Sequence, residues 1–215
     1  MKRLKIPDVT VHRLSDYARI LDQFDGEGIR IVSSDVLAAR CGLNPAQIRK
    51  DLAYFGEFGV RGVGYHVGEL KENLKGILGV THAWRVALVG AGNLGSALAA
   101  YQGFLTHGFI ITAVFDKYPE QAKLPPNGRF PKILGVDRIK AEIRRRGIQI
   151  GIITVPAEAA QGVAERLVSA GISGILNFAP VRLRVPKHVK VRNVDLGSEL
   201  ESLSFFLSKQ GGAPS

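Results

Sequence analysis

Three glycines, Gly90, Gly92 and Gly95, stand in the spacing G-x-G-x-x-G that lets a loop backbone come close to a pyrophosphate. With Ala91, Asn93 and Leu94 between them they form a candidate cofactor loop. The motif has the context it needs: the β-prone run Trp84 to Val89 leads into it, and helix-forming Ser96 to Ala100 follows. Gly90 permits the tight turn, Gly92 the approach of backbone to phosphate, and Gly95 close packing of helix on strand, so that the helix N-terminus faces the phosphates. A second β-prone run, Phe109 to Phe115, ends at Asp116, 21 positions beyond Gly95. A carboxylate there accepts hydrogen bonds from an adenosine 2′-OH and repels a 2′-phosphate, so NAD(H) is expected over NADP(H); the adjacent Lys117 pulls the other way. A fold of this kind could also serve another nucleotide, such as coenzyme A, or none.

The elements that position the loop continue in β-α alternation. A helix over 137–146, a strand over 149–154, a helix over 157–170 and a strand over 174–176 predict a parallel, doubly wound sheet, with ligands bound at the strands' carboxyl ends. Thr154, Val155 and Pro156 follow one strand, and Asn177, Phe178, Ala179 and Pro180 the next. Both loops would border the nicotinamide half of the site, or they are ordinary turn chemistry. Arg144, Arg145 and Arg146 suit the dipole at a helix C-terminus.

The first third of the chain has a different pattern. Leu14, Tyr17, Leu21 and Phe24 make the stripe of a helix over about residues 9 to 25. Ser33 or Ser34 can cap a short second helix that ends at Gly42; Asn44 caps a third, with Pro45 at its first position. The tight link between them predicts a helix-turn-helix. Ile48, Leu52 and Phe55 share one face of the third helix, which leaves Gln47, Lys50 and Tyr54 opposite and Arg49 on the flank, the side chains a recognition helix offers to base edges and phosphates. Residues 58 to 67 alternate around Arg61 and Gly62 as a hairpin would, and a hairpin after a recognition helix is a wing with Arg61 near its tip, suited to a minor groove. A fourth helix starts near Val67 and closes at Gly79.

Charge and composition narrow the function. The formal net charge is +10 with 22% charged residues, which favours a polyanionic partner. Residues 1–80 carry 12 basic against 10 acidic side chains and residues 81–215 carry 17 against 9, so bulk charge does not say which half meets it. The single cysteine, Cys41, fits packing in a reduced, cytoplasmic setting, and neither a membrane span nor metal-ligand spacing is visible. No catalytic residue is expected: a nicotinamide-dependent oxidoreductase, the competing reading, needs a proton donor or acceptor at the nicotinamide and an enclosed substrate, yet the five histidines fall outside the strand ends.

Three segments are expected: a winged-helix DNA-binding domain over 1–80, a Rossmann NAD(H) domain over 81–196, and a helix with a flexible tail over 197–215. Ser198 and Glu201 fit a capping box, and Leu200, Leu203, Phe205, Phe206 and Leu207 make that last helix too apolar to stand uncovered.

Over nearly its whole length the chain resembles the bacterial Rex family of redox-sensing transcriptional repressors. The segments that carry the resemblance are Ile48 to Gly56, Arg61 to Tyr65, Gly90 to Gly95 and Ile175 to Pro180. The resemblance implies a homodimer, formed through a terminal helix swapped between subunits, that holds double-stranded operator DNA when NADH is scarce and releases it when NADH binds. It further implies that Arg19, Tyr101 and Asp195 couple the NADH/NAD⁺ state to the arrangement of the domains. One departure is Leu196, where some members carry a phenylalanine over the nicotinamide.

Overall fold

The computed structural model describes residues 6–122 and 131–209, and the chain divides into two compact units with the boundary between His82 and Ala83. The expected tail over 211–215 lies outside the described residues.

The first unit contains α1 (Asp8–Gly26), α2 (Ser34–Cys41), α3 (Pro45–Ala53) and α4 (Val67–Leu78), with a two-residue antiparallel pair of β1 (Ile31–Val32) and β2 (Tyr65–His66). Leu14, Tyr17, Leu21 and Phe24 of α1 are essentially solvent-free and share a core with Leu37, Ile48, Leu70 and Leu74. Burying each such side chain is worth about 1.5–3 kcal/mol. Ser33 caps α2 by accepting from the Val36 amide at 3.2 Å, Gly42 ends it in the left-handed region, and Asn44 Oδ1 accepts from the Gln47 amide at 2.8 Å. Local capping chemistry thus sets both ends of the turn between α2 and α3.

The wing differs from the expected hairpin over 58–67. Only Val60 and Gly64 bridge each other, while Tyr65 and His66 pair with Ile31 and Val32. Tyr65 and Val67 are buried and draw the chain onto β1. A Cβ at Gly64, where φ is +110°, would lie 2.4 Å from the Val32 carbonyl oxygen, so this close approach requires glycine. The wing is therefore a three-residue tip, Arg61, Gly62 and Val63, closed by reciprocal backbone bonds between Val60 and Gly64.

The second unit is a six-stranded, all-parallel sheet flanked by helices. Its strands are β3 (Trp84–Val89), β4 (Phe109–Asp116), β5 (Ile133–Gly135), β6 (Ile150–Ile153), β7 (Gly174–Asn177) and β8 (Lys190–Asn193), in the order β5-β4-β3-β6-β7-β8. The helices are α5 (Asn93–Ala100), α6 (Gly103–Thr106), α7 (Ile139–Arg146), α8 (Ala157–Ala170) and α9 (Leu196–Lys209). Along β3, Val86 and Leu88 enter one buried cluster and Ala87 and Val89 the other, as a sheet covered on both faces requires. Of the expected 137–146 helix, the start is a 3-10 turn over Val136–Arg138. At its end Arg145 and Arg146 bind Glu142 at 2.7 and 2.6 Å, and this pairing, Arg145 first, pulls the Glu142 carboxyl down to about 2.

The capping box at Ser198 is not formed. The helix begins at Leu196, so Asp195 takes the cap position: its Oδ1 accepts from the Gly197 and Ser198 amides at 3.0 and 3.3 Å, while the Ser198 hydroxyl donates to the Asp195 carbonyl. A carboxylate there also meets the positive end of the helix dipole.

Candidate functional site

Strand order reverses between β3 and β6, and a sheet of this kind takes its ligand at the carboxyl ends of the strands beside such a switch point. The glycine loop leaves β3 on one side of it, and Thr154 leaves β6 on the other. Gly90 has φ +102°, and a Cβ there would sit 2.8 Å from the Thr154 carbonyl carbon; a Cβ at Gly95 would sit 1.8 Å from the Gly90 carbonyl oxygen. Both glycines are thus required by close packing. Gly92 is different, because a Cβ there would meet nothing within 4 Å. No side chain caps α5, whose first-turn amides lie beyond that open backbone. Room for a phosphate and a helix N-terminus without a side-chain cap are the two things a dinucleotide needs at this point, so the residues fit NAD(H).

The structure brings Asp116 to this loop. Its Oδ2 accepts from the Ala91 amide at 2.7 Å and its Oδ1 from the Tyr118 amide at 2.8 Å. A carboxylate has about four acceptor positions, so the half-buried group keeps capacity for ribose hydroxyls while tethered to the loop that would hold the phosphates. Lys117 is turned aside, its ammonium 5.1 Å from the Tyr118 ring centre. The Thr154 hydroxyl lies 2.8 Å from the Gly90 carbonyl oxygen and 3.1 Å from that of Val89, so its one proton ties β6 to the glycine loop. Val155 packs on the sheet's core and Pro156 leads into α8.

The Asn177 loop sits at the end of β7, beside Thr154. Asn177 is fully buried: its amide nitrogen donates to the carbonyls of Ala179 and Val181 and to Asn193 Oδ1, and its oxygen accepts from the Ala179 amide. Its side chain is therefore consumed in shaping the loop. Phe178 is half-buried against the sheet, Ala179 is buried, and Pro180 is exposed.

In the first unit the recognition-helix residues separate. Arg49 and Lys50 are exposed, with Arg49 Nη1 donating to Ser34 Oγ at 2.7 Å, and Asn44 is held as the cap. Gln47 and Tyr54 are half-buried on the helix flanks rather than opposite the core, and Gln47 Nε2 donates to Asp51 Oδ1 at 2.9 Å. A groove of about 570 Å³ lies between α3 and the wing, lined by Ser34, Arg49, Gly59, Arg61 and Gly62 among others. Asp51, which receives Gln47, had no place among the expected functional residues. The one local signal was an acid among Ile48, Leu52 and Phe55 on the apolar face.

Arg19 pairs with Asp16 at 2.8 Å on the exposed side of α1. Tyr101 is 59% exposed, its ring edge-on to Phe104 at 5.2 Å, and Asp195 caps α9. Cys41 is half-buried, and burial pushes its thiol up, which suits packing rather than reactivity. Among the described residues no cluster of metal-ligating side chains occurs and no helix is long and apolar enough to cross a membrane.

Comparison with known proteins agrees with this geometry. Residues 5–53 match a family described as "Putative DNA-binding protein N-terminus", and residues 81–181 match one described as "CoA binding domain". The redox-sensing transcriptional repressor Rex of Syntrophobacter fumaroxidans is 52% identical over 209 residues, covering 97% of this chain and 99% of that protein. Rex of Desulfitobacterium hafniense is 52% identical over 205 residues, 95% of this chain and 97% of that one. Among solved structures, RSP in complex with beta-NAD⁺ and operator DNA has a TM-score of 0.90 at 37% identity, covering 97% of this chain and 95% of that one. RSP in complex with beta-NADH has 0.85 at 36%, covering 97% of both.

Proposed function

The chain belongs to the Rex family of redox-sensing transcriptional repressors, and on that premise we propose how its parts do the work. The second unit holds NAD(H) on the Gly90–Gly95 loop, with Asp116 on the adenosine ribose and the Thr154 and Asn177 loops beside the nicotinamide. The first unit holds operator DNA through Arg49, Lys50 and Gln47 of α3, Tyr54 at its end, and Arg61 and Gly62 of the wing. The observation that carries this reading is the bond from the Ala91 amide to Asp116, which sets the ribose acid against an open phosphate loop at the sheet's switch point.

NADH lacks the positive charge of the NAD⁺ nicotinamide ring, so a mainly apolar site desolvates the reduced form at lower cost. For a switch, that preference must be tied to the DNA-released arrangement by a coupling of about 1–3 kcal/mol. Arg19, Tyr101 and Asp195 are the residues we assign to the coupling. Each is exposed; Arg19 is steadied by Asp16 through one guanidinium nitrogen and Asp195 holds the first turn of α9 through one carboxylate oxygen, so both keep hydrogen-bonding capacity for the coupling. The chain senses rather than turns over its cofactor: all five histidines lie on the surface, and Thr154 and Asn177, at the ends of β6 and β7, are spent on holding loops. A cytoplasmic location suits both partners.

The test is DNA affinity titrated against each oxidation state. NADH should weaken operator binding by about 5- to 150-fold, with NAD⁺ much less effective. Affinity indifferent to NADH would end the sensor reading, as would catalytic turnover of a substrate. Lys50→Ala should cost about 1–3 kcal/mol of operator binding, and Arg61→Ala should weaken it and lower the salt dependence by about one counterion; neither should alter NADH affinity in calorimetry.

Dimerisation follows from α9. Leu196, Leu200, Leu203, Phe205, Phe206 and Leu207 are each more than half exposed, a surface that needs a cover, and a two-fold pair of winged helices suits a near-palindromic operator. Leu203→Asp is expected to shift the protein toward monomer in sedimentation velocity; an unchanged dimer would show that α9 is not the interface.

A further inference from the structure

Asp51 lies on the buried face of α3 and is 1% exposed, yet five hydrogen bonds reach it. From α1, Arg13 donates through Nε to Oδ2 at 2.5 Å and through Nη2 to Oδ1 at 2.8 Å, Tyr17 OH donates to Oδ2 at 2.7 Å, and Thr10 Oγ1 to Oδ1 at 3.2 Å. From its own helix, Gln47 Nε2 donates to Oδ1 at 2.9 Å. Burial alone would push the Asp51 carboxyl up; the bonds from Arg13, Tyr17 and Gln47 outweigh it and hold the group below the usual carboxylate range, so it is ionised at neutral pH.

An ionised carboxylate accepts and never donates, so the Gln47 amide can meet Asp51 only with its nitrogen inward. A glutamine on a free surface turns its terminal amide at little cost and can offer either end. Here one N–H is spent, and what remains for DNA is Oε1 with the second N–H beside it. That acceptor and donor pair is the complement of adenine in the major groove, whose N6 amino group donates and whose N7 accepts. Guanine presents two acceptors at the same places and would set O6 against Oε1.

We propose that Asp51 is a positioning residue for base readout: it holds Gln47 with its carbonyl outward, so that each half-site is read as adenine at the base pair facing Gln47. The inference rests on the reading of α3 as the recognition helix.

The test is selection from a pool of duplexes randomised over about two half-site turns, using the full-length protein and sequencing what is retained. The wild type should enrich adenine at one symmetric pair of positions, and 7-deazaadenine there should cost about as much binding as Gln47→Ala. Gln47→Ala should make those positions indifferent, a loss of about tenfold discrimination, with preferences elsewhere kept; four bonds to Asp51 survive in this variant, so the helix stays anchored. Asp51→Asn, or Asp51→Glu, which keeps the charge but moves it by a methylene, should reduce discrimination at the same positions. If Gln47→Ala leaves the preferences unchanged, or the Asp51 variants weaken all sequences equally, the inference is overturned while the DNA-binding reading stands. If the wild type selects no sequence at all, both fall.

Discussion

Replacing Gly95 with alanine is expected to raise the Kd for NADH by about 5- to 150-fold and to leave DNA affinity without NADH unchanged. The added Cβ would stand 1.8 Å from the Gly90 carbonyl oxygen and 2.9 Å from both the Gly90 carbonyl carbon and Thr154 Oγ1. None of these is the end of a long side chain that can swing away. Either α5 retreats from β3 or the loop opens, and overpacking of this kind costs about 1–3 kcal/mol. Gly92→Ala separates the causes, because its Cβ meets nothing within 4 Å in the chain itself. It should lose NADH affinity while keeping the wild-type melting temperature, whereas Gly95→Ala should lose both. The consequence for regulation is a repressor that stays on its operator when NADH is added, measurable by fluorescence anisotropy of labelled DNA. Wild-type NADH affinity in Gly95→Ala would mean that the cofactor does not lie on this loop.

Much of the cofactor site was legible because its chemistry is local. Gly90 to Gly95 are six residues of one turn, and Asp116 ends the neighbouring strand, so spacing alone put the two side by side, where the Ala91 amide meets the Asp116 carboxylate. The edges of the sheet were not legible. Ile133–Gly135 and Lys190–Asn193 are three and four residues long, too short for a periodic signal, and β8 carries exposed Lys190 and Arg192, which blunt a sheet edge but obscure a strand. Ser198 and Glu201 satisfied the capping pattern, yet Asp195, three residues earlier, won the position because a helix starts where the preceding strand releases the chain. Asn177 was left between ligand contact and turn chemistry; its partner Asn193 comes from β8, a strand the sequence does not announce. The same holds for Asp51, whose partners in α1 lie 34 to 41 positions away.

Asp51→Ala is expected to destabilise the first unit by about 3–5 kcal/mol, because it removes one partner of a buried ion pair and leaves Arg13 facing the site without its counter-charge. The Tyr17 hydroxyl, pushed up first by burial and then by the bond to Asp51, would lose its acceptor in a solvent-free core. The damage should be confined by the chain's division: amide hydrogen exchange would speed up over α1 to α4 and stay unchanged over β3 to β8. Acid should imitate the mutation. The Asp51 carboxyl is held below its ordinary value of about 3.9, so its contribution is complete above that value and is lost as pH falls through the folded one. DNA binding should therefore fail in acid with the unfolding of α1 against α3, and Asp51→Ala, already without the carboxylate, should show a flatter stability profile across that window. A variant as stable as the wild type, or one that keeps the full acid dependence, would place the anchoring of the recognition helix elsewhere in the core.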